Sequence, residues 1–203
     1  GEWVRGRLTW MVPHVGTLVD VCAFCGDERL PYQVGGLRNG QQDPTFNGGN
    51  KLNIDMSLSN NQPTAITTYP DGRMLVTGYC DDSGSSKFCV ARLTLAGALD
   101  TSFNGTGIRT YTATGQTGDN TQNVRLLPGG RILLGGVCGT YGNGASRRFC
   151  VAALTDSGQP DAVFAGASYV WLNAISFTAV SPGLMHVSDD GKILLVGACG
   201  SSP

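Results

Sequence analysis

Charge is scarce in this chain. Asp, Glu, Lys and Arg make up 14% of 203 residues, and the formal net charge is −1. Phosphate recognition needs clustered Lys and Arg, and these are scattered here, so nucleic acid is not an expected partner. Histidine is scarcer still, with His14 and His186 as the only two. A catalytic histidine needs an orienting carboxylate and a nucleophile beside it. Neither histidine sits in a motif that supplies them, and both read as ordinary strand or surface residues. No Gly-x-Ser-x-Gly, His-Glu-x-x-His or phosphate-loop pattern occurs, so no cofactor or metal is expected. Long apolar runs are missing too, which argues against a membrane-spanning helix. Gly1-Glu2-Trp3 has neither the basic start nor the apolar stretch of a signal peptide, nor an initiator Met. No long stretch carries the 3.6-residue period of a helix.

Repetition is abundant. Pro70-Asp71-Gly72-Arg73-Met74-Leu75-Val76-Thr77-Gly78-Tyr79-Cys80 returns from Pro128 as Pro-Gly-Gly-Arg-Ile-Leu-Leu-Gly-Gly-Val-Cys138. It returns again from Asp189 as Asp-Asp-Gly-Lys-Ile-Leu-Leu-Val-Gly-Ala-Cys199. Phe88-Cys89-Val90-Ala91-Arg92-Leu93 reappears as Phe149-Cys150-Val151-Ala152-Ala153-Leu154. Asp43-Pro44-Thr45-Phe46-Asn47-Gly48 reappears from Asp100 and from Asp161. A period of about sixty residues marks a stacked or radial repeat architecture.

Within residues 49–105, four strands are predicted: Lys51 to Met56, Ala65 to Tyr69, Arg73 to Cys80, and Phe88 to Leu93. The first alternates polar and apolar residues. The second is rich in β-branched residues, and the third is almost wholly apolar, as a strand covered on both faces should be. Pro70-Asp71-Gly72 is a tight turn. A small sheet of this kind cannot bury both faces alone. Packing copies face to face around an axis does so, which predicts an all-β, propeller-like fold of four-stranded antiparallel blades. A β-solenoid is the rival. One repeat domain is expected over 1–203, with a degenerate first repeat (1–48), repeats at 49–105 and 106–166, and a truncated fourth (167–203), giving about four blades. The incomplete ends predict an unpaired edge strand, Lys192 to Cys199. The N-terminal segment would complete it within the chain or in a neighbouring copy.

The combination of Pro-Asp-Gly-Arg/Lys-Ile/Met-Leu, Phe-x-Val-Ala-Arg-Leu and Gly-x-Leu-Asp-x-x-Phe-x-Gly resembles the delta-60 repeat family. The resemblance covers residues 43–203 well and 1–42 poorly. It implies a propeller-forming tandem repeat of bacterial secreted or surface proteins, and implies no activity. The cysteines depart from the family pattern.

Seven cysteines are present. Cys80 and Cys89 end and begin neighbouring strands, as do Cys138 and Cys150, at spacings that suit disulfides across an antiparallel pair. Cys22, Cys25 and Cys199 remain. Cys22 with Cys25 is one pairing; Cys25 with Cys199, within the chain or across a subunit interface, is another. Disulfides imply an oxidising compartment, and low charge with abundant Gly, Ser, Thr and Asn fits an extracellular protein. Gly129-Gly130 and Gly135-Gly136 read as packing glycines. Asp81-Asp82-Ser83-Gly84 reads as a solvated loop without calcium-loop spacing. Asp43, Asp100 and Asp161 recur once per repeat and read as turn or capping residues. Trp3, Trp10, Tyr169 and Trp171 read as packing residues first and a sugar platform second. Asn104-Gly105-Thr106 fits a glycan acceptor sequence.

These readings predict a non-enzymatic, secreted structural or adhesive protein. It is expected to associate with itself, as rings or filaments, through strand exchange at its ends. The alternative is a lectin-like ligand-binding propeller with carbohydrate as its partner, and the third reading is a hydrolase on a propeller scaffold.

Overall fold

The computed structural model describes residues 7–12, 17–22, 32–38, 41–56, 60–82, 84–112, 117–140, 147–171 and 179–200. Those residues form fifteen strands and no α-helix. The first sheet holds β1 (Arg7–Val12), β2 (Thr17–Cys22), β3 (Tyr32–Arg38), β4 (Gln41–Gln42) and β5 (Leu52–Ile54). The second holds β6 (Asn60–Thr68), β7 (Met74–Asp82), β8 (Ser85–Leu93) and β9 (Ile108–Tyr111). The third holds β10 (Asn120–Leu126), β11 (Ile132–Cys138), β12 (Arg148–Leu154) and β13 (Tyr169–Trp171). In the fourth, β14 (Ala179–Val187) pairs with β15 (Ile193–Gly200). All pairs between these strands are antiparallel. That excludes the parallel stacking of a β-solenoid for the described residues.

The sheet boundary is offset from the sequence repeat. Leu52–Ile54 does not open the sheet of its own repeat; it pairs with Tyr32 to Val34 of the first sheet. Ile108–Tyr111 likewise closes the second sheet against β8, and Tyr169–Trp171 closes the third against β12. Each repeat therefore runs across two sheets. Periodicity fixes the length of a unit but not its phase. The phase comes from the Asp43, Asp100 and Asp161 turns, which fold the chain back onto the sheet it has just left.

Three apolar layers separate the four sheets. Val34, Phe46 and Ile54 pack on Ile66, Met74, Val76 and Leu93. Leu75, Phe88, Val90 and Phe103 pack on Val124, Ile132, Leu134 and Leu154. Leu133, Val151 and Ala153 pack on Met185, with Ile193 and Leu195 beside it. This explains the nearly continuous apolar runs at Met74 to Cys80 of β7 and along β11: alternate residues enter different layers, so both faces are covered. Such burial is worth about 25 cal/mol per Å² of apolar surface.

The first strand of the second, third and fourth sheets carries a bulge at one shared level, between Pro63 and Ala65, Thr121 and Asn123, and Pro182 and Leu184. A bulge is where a strand tolerates proline. The bulges also join the sheets. Thr64 Oγ1 donates to the Thr121 carbonyl at 2.6 Å, Asn123 Nδ2 donates to the Gly183 carbonyl at 3.3 Å, and Met185 N donates to Asn123 Oδ1 at 3.2 Å. The glycine before Val137 is required here. A Cβ on Gly136 would lie 2.0 Å from the Asn120 carbonyl oxygen.

Among the described residues β15 pairs with β14, and Arg7–Val12 pairs with Thr17–Cys22 in the first sheet. The N-terminal strand thus lies with its own repeat and does not extend the edge of β15.

Candidate functional site

Two disulfides stand where the sequence puts them. Cys80–Cys89 and Cys138–Cys150 have Cα separations of 6.0 and 5.8 Å, within the usual range. Their geometry differs from a directly facing pair. Register sets Cys80 opposite Lys87 and Cys89 opposite Gly78, so each bridge runs diagonally across the hairpin; Cys138 opposite Arg148 and Gly136 opposite Cys150 repeat the pattern. All four sulfurs belong to buried residues. They lock β7 to β8 and β11 to β12. The fate of Cys25 falls outside the described residues. Cys22 and Cys199 are placed by backbone only, facing Gln33 and Val180.

The recurrent aspartates are turn residues. Asp100 Oδ1 accepts from Ser102 N at 3.1 Å and Ser102 Oγ at 2.6 Å. Asp43 accepts from Thr45 in the same way, and Asp161 from Val163 N. Each turn delivers a phenylalanine (Phe46, Phe103, Phe164) at its end. Phe46 and Phe103 are then capped by a hairpin of the next sheet: Asn47 N donates to the Ala96 carbonyl and Asn104 N to that of Ser157. The sequon is occupied by this architecture. Asn104 Nδ2 donates to the Ile108 carbonyl at 2.8 Å, and its Oδ1 accepts from Arg109 and Gln159.

A buried cation sits between the second and third sheets. Arg92, 2% exposed, places Nε 2.8 Å from Asp100 Oδ2 and Nη1 3.1 Å from Asp156 Oδ1. It donates to the Asp156 carbonyl at 2.6 Å and to Ser102 Oγ at 2.7 Å. The Nε contact lies off the N–H line, so it is an ion pair without a formal hydrogen bond. The guanidinium also lies over Tyr69 and Phe103, 5.6 and 5.0 Å from the ring centroids. Burial pushes the Tyr69 phenol up to about 12, so it stays neutral. Burial alone would raise Asp100, but the Ser102 donors with Arg92 and Arg73 outweigh it and hold the carboxyl below its usual value. Every charge in this cluster is paired, and its role is to join two sheets.

The outer rim between the same two sheets is different. Tyr169 and Trp171 lie on β13, half-buried, with ring centroids 6.3 Å apart and planes tilted by 42°. The Arg148 guanidinium lies over the Trp171 ring at 5.1 Å. Tyr111 of β9 approaches across the gap, where its hydroxyl bonds Ser168 Oγ. Trp171 Nε1 is turned inward, buried from solvent, and finds no hydrogen-bond acceptor among the described residues. Aromatic faces and a cation therefore meet at one rim. The sequence singled out Tyr169 and Trp171, but not Arg148 or Tyr111, because only strand pairing brings these beside them. Of the other candidates, His186 is exposed on β14, and His14 and Trp3 lie outside the described residues. Trp10 is placed by backbone in β1, opposite Val19. Asp81 accepts from Ser86 Oγ. Among the described residues no group of three metal-ligating side chains converges, and no helix is long and apolar enough to cross a membrane.

Comparison with known proteins bears on the fold. The model of a family described as "Domain of unknown function (DUF5122) beta-propeller" matches residues 70–103, the stretch with the Pro-Asp-Gly turn and the first cystine hairpin. No curated protein matches. A solved structure of an endo-1,4-beta-xylanase from Bacteroides thetaiotaomicron superposes with a TM-score of 0.53 at 11% identity, covering 98% of this chain and 77% of that one. At that identity the likeness is one of fold. It corrects the expectation of a non-enzymatic structural or adhesive protein assembling by strand exchange. A scaffold of this shape carries a glycosidase elsewhere, so the step from repeat architecture to a purely structural role does not hold. The physical reason is that once-per-repeat residues report how sheets pack, whereas function resides in residues that break the repeat.

Proposed function

We propose that this chain is a carbohydrate-binding module of the β-propeller type, built from delta-60-like repeats and working in an extracellular, oxidising compartment. The observation that carries the reading is the Tyr169–Trp171–Arg148 rim. Sugar rings present apolar C–H faces to aromatic side chains and hydroxyls to donors. Trp and Tyr serve such surfaces because one end is apolar and the other polar, and ligand sites combine aromatic lining with a few placed polar groups. The glycosidase name carried by a chain of the same fold is consistent with a polysaccharide ligand. The two cystines support the compartment, since disulfides persist where conditions are oxidising.

The test is affinity electrophoresis in gels containing soluble xylan or a soluble β-1,4-glucan, repeated with Trp171→Ala and Trp171→Phe. Wild type should be retarded in at least one gel. Trp171→Ala should abolish the retardation, and Trp171→Phe should keep part of it. Unretarded wild type, or Trp171→Ala retarded as strongly as wild type, refutes the site. Release of reducing ends on incubation would replace binding by hydrolysis as the activity.

A further inference from the structure

Charge is not shared evenly between the repeats. Residues 49–105 hold four basic and five acidic side chains, whereas residues 106–166 hold five arginines, three aspartates and no other charged side chain. Those three aspartates are already engaged. Asp156 pairs with Arg92 and Asp161 with Arg131, and Asp119, 0% exposed, accepts from Gly139 N at 3.4 Å. Arg109, Arg125, Arg147 and Arg148 therefore reach no carboxylate among the described residues. Segments 113–116, 141–146 and 172–178, which follow β9, precede β12 and follow β13 in sequence, contain no Asp or Glu.

Three described arginines lie over aromatic rings. Arg73 lies over Tyr69, and Arg92 over Tyr69 and Phe103. Each also reaches carboxylates: Asp71 and Asp100 for Arg73, Asp100 and Asp156 for Arg92. Arg148, half-buried on β12, has its ring in Trp171 and no anion. Arg109, two residues before Tyr111 on β9, spends Nη1 on the neutral Asn104 and Gln159 side chains. The rim is thus an electropositive edge in a chain that otherwise matches its charges. A guanidinium laid on a ring still has the planar N–H fork that meets a carboxylate at two points. A sugar acid offers that carboxylate together with the apolar C–H face that aromatic side chains take. We infer, on the carbohydrate reading of this rim, that its ligand is an acidic polysaccharide: Arg148 holds the carboxylate of a uronic acid residue, and the Tyr169–Trp171 pair meets the sugar ring.

Isothermal titration at fixed salt tests it, with glucuronoxylan and polygalacturonate each set beside the same polymer after its carboxylates are reduced to alcohols. Wild type should bind the acid form of at least one polymer about tenfold or more tightly than its reduced form. Arg148→Gln should bring the acid form down to the affinity of the reduced one. Arg148→Lys, which keeps the charge and loses the fork, should keep only part of the preference. Lys192→Gln removes the same charge from an exposed hairpin of the fourth sheet and should keep the preference whole. Resistance of the two cystines to alkylation certifies the fold of each variant. Binding with equal affinity for acid and reduced forms overturns the inference and leaves a neutral sugar as the ligand. A preference that survives Arg148→Gln, or that Lys192→Gln loses to the same degree, overturns it as well. Binding to none of the four polymers removes the carbohydrate reading itself, and this inference with it.

Discussion

Replacing Arg92 with Met should cost about 3–4 kcal/mol, because removing one partner of a buried ion pair typically costs 3–5 kcal/mol. The lower half of that range follows from the surroundings. Asp156 is 46% exposed and regains water, and Asp100 keeps its Ser102 donors and the Arg73 contact at 3.4 Å. With a urea slope of about 2–3 kcal/mol/M for a chain of this size, the unfolding midpoint should fall by roughly 1–2 M. Arg92→Lys keeps the charge but loses the fork that reaches Asp100, Asp156 and Ser102 together, and should cost about half as much. Arg92→Met combined with Asp100→Asn should recover part of the loss, since the abandoned anion is then gone. Asp100 is held below its ordinary value in the fold. Its contribution is therefore complete above the unfolded carboxyl value near 4 and is lost as pH falls through the lower folded value. The gap between wild type and Arg92→Met should be constant from pH 7 to 5 and narrow below about pH 4. Urea titrations followed by tryptophan fluorescence, with disulfides intact, read all of these. A single-variant loss under about 1 kcal/mol would falsify the claim that the cluster joins the sheets, as would a double variant no more stable than the single.

Two further outcomes test the packing between sheets. Gly158 has φ +81°, and a Cβ there would lie 2.7 Å from Phe103 Cε2. Strain plus overpacking at Gly158→Ala should cost about 2–4 kcal/mol. Gly191→Ala, at φ +83° with nothing nearby, should cost only about 1 kcal/mol, so equal shifts in melting temperature would refute the assigned contact. For the cystines, unfolding without reductant should expose at most Cys22, Cys25 and Cys199 to alkylation, read by mass spectrometry. Replacing Cys80 and Cys89 by Ala should then cost about 2.5 kcal/mol on the chain-entropy relation for so short a loop. A label on Cys80, Cys89, Cys138 or Cys150 before reduction contradicts the pairing.

Much of this protein was legible in one dimension. The Pro-Asp-Gly turns, the apolar third strands and the doubled cysteines all act over a few residues or between neighbours in a hairpin, so local chemistry specifies them. Local chemistry is enough to give all-β structure, antiparallel hairpins, two cystines and aspartate turns. Three things lay beyond it. The phase of the sheets depends on Leu52–Ile54 returning to β3, a choice between two edges that strand periodicity does not make. Arg92 reads as an ordinary basic residue of a strand until the hairpin of the next sheet brings Asp156, 64 positions away, against it. The rim of Tyr111, Arg148, Tyr169 and Trp171 draws on three strands of two sheets, and no spacing in the chain encodes it. The sequence alone determined what repeats, because repeated segments obey the same short-range rules. Only the tertiary structure decided which residues meet across sheets, because packing joins positions that share no local signal.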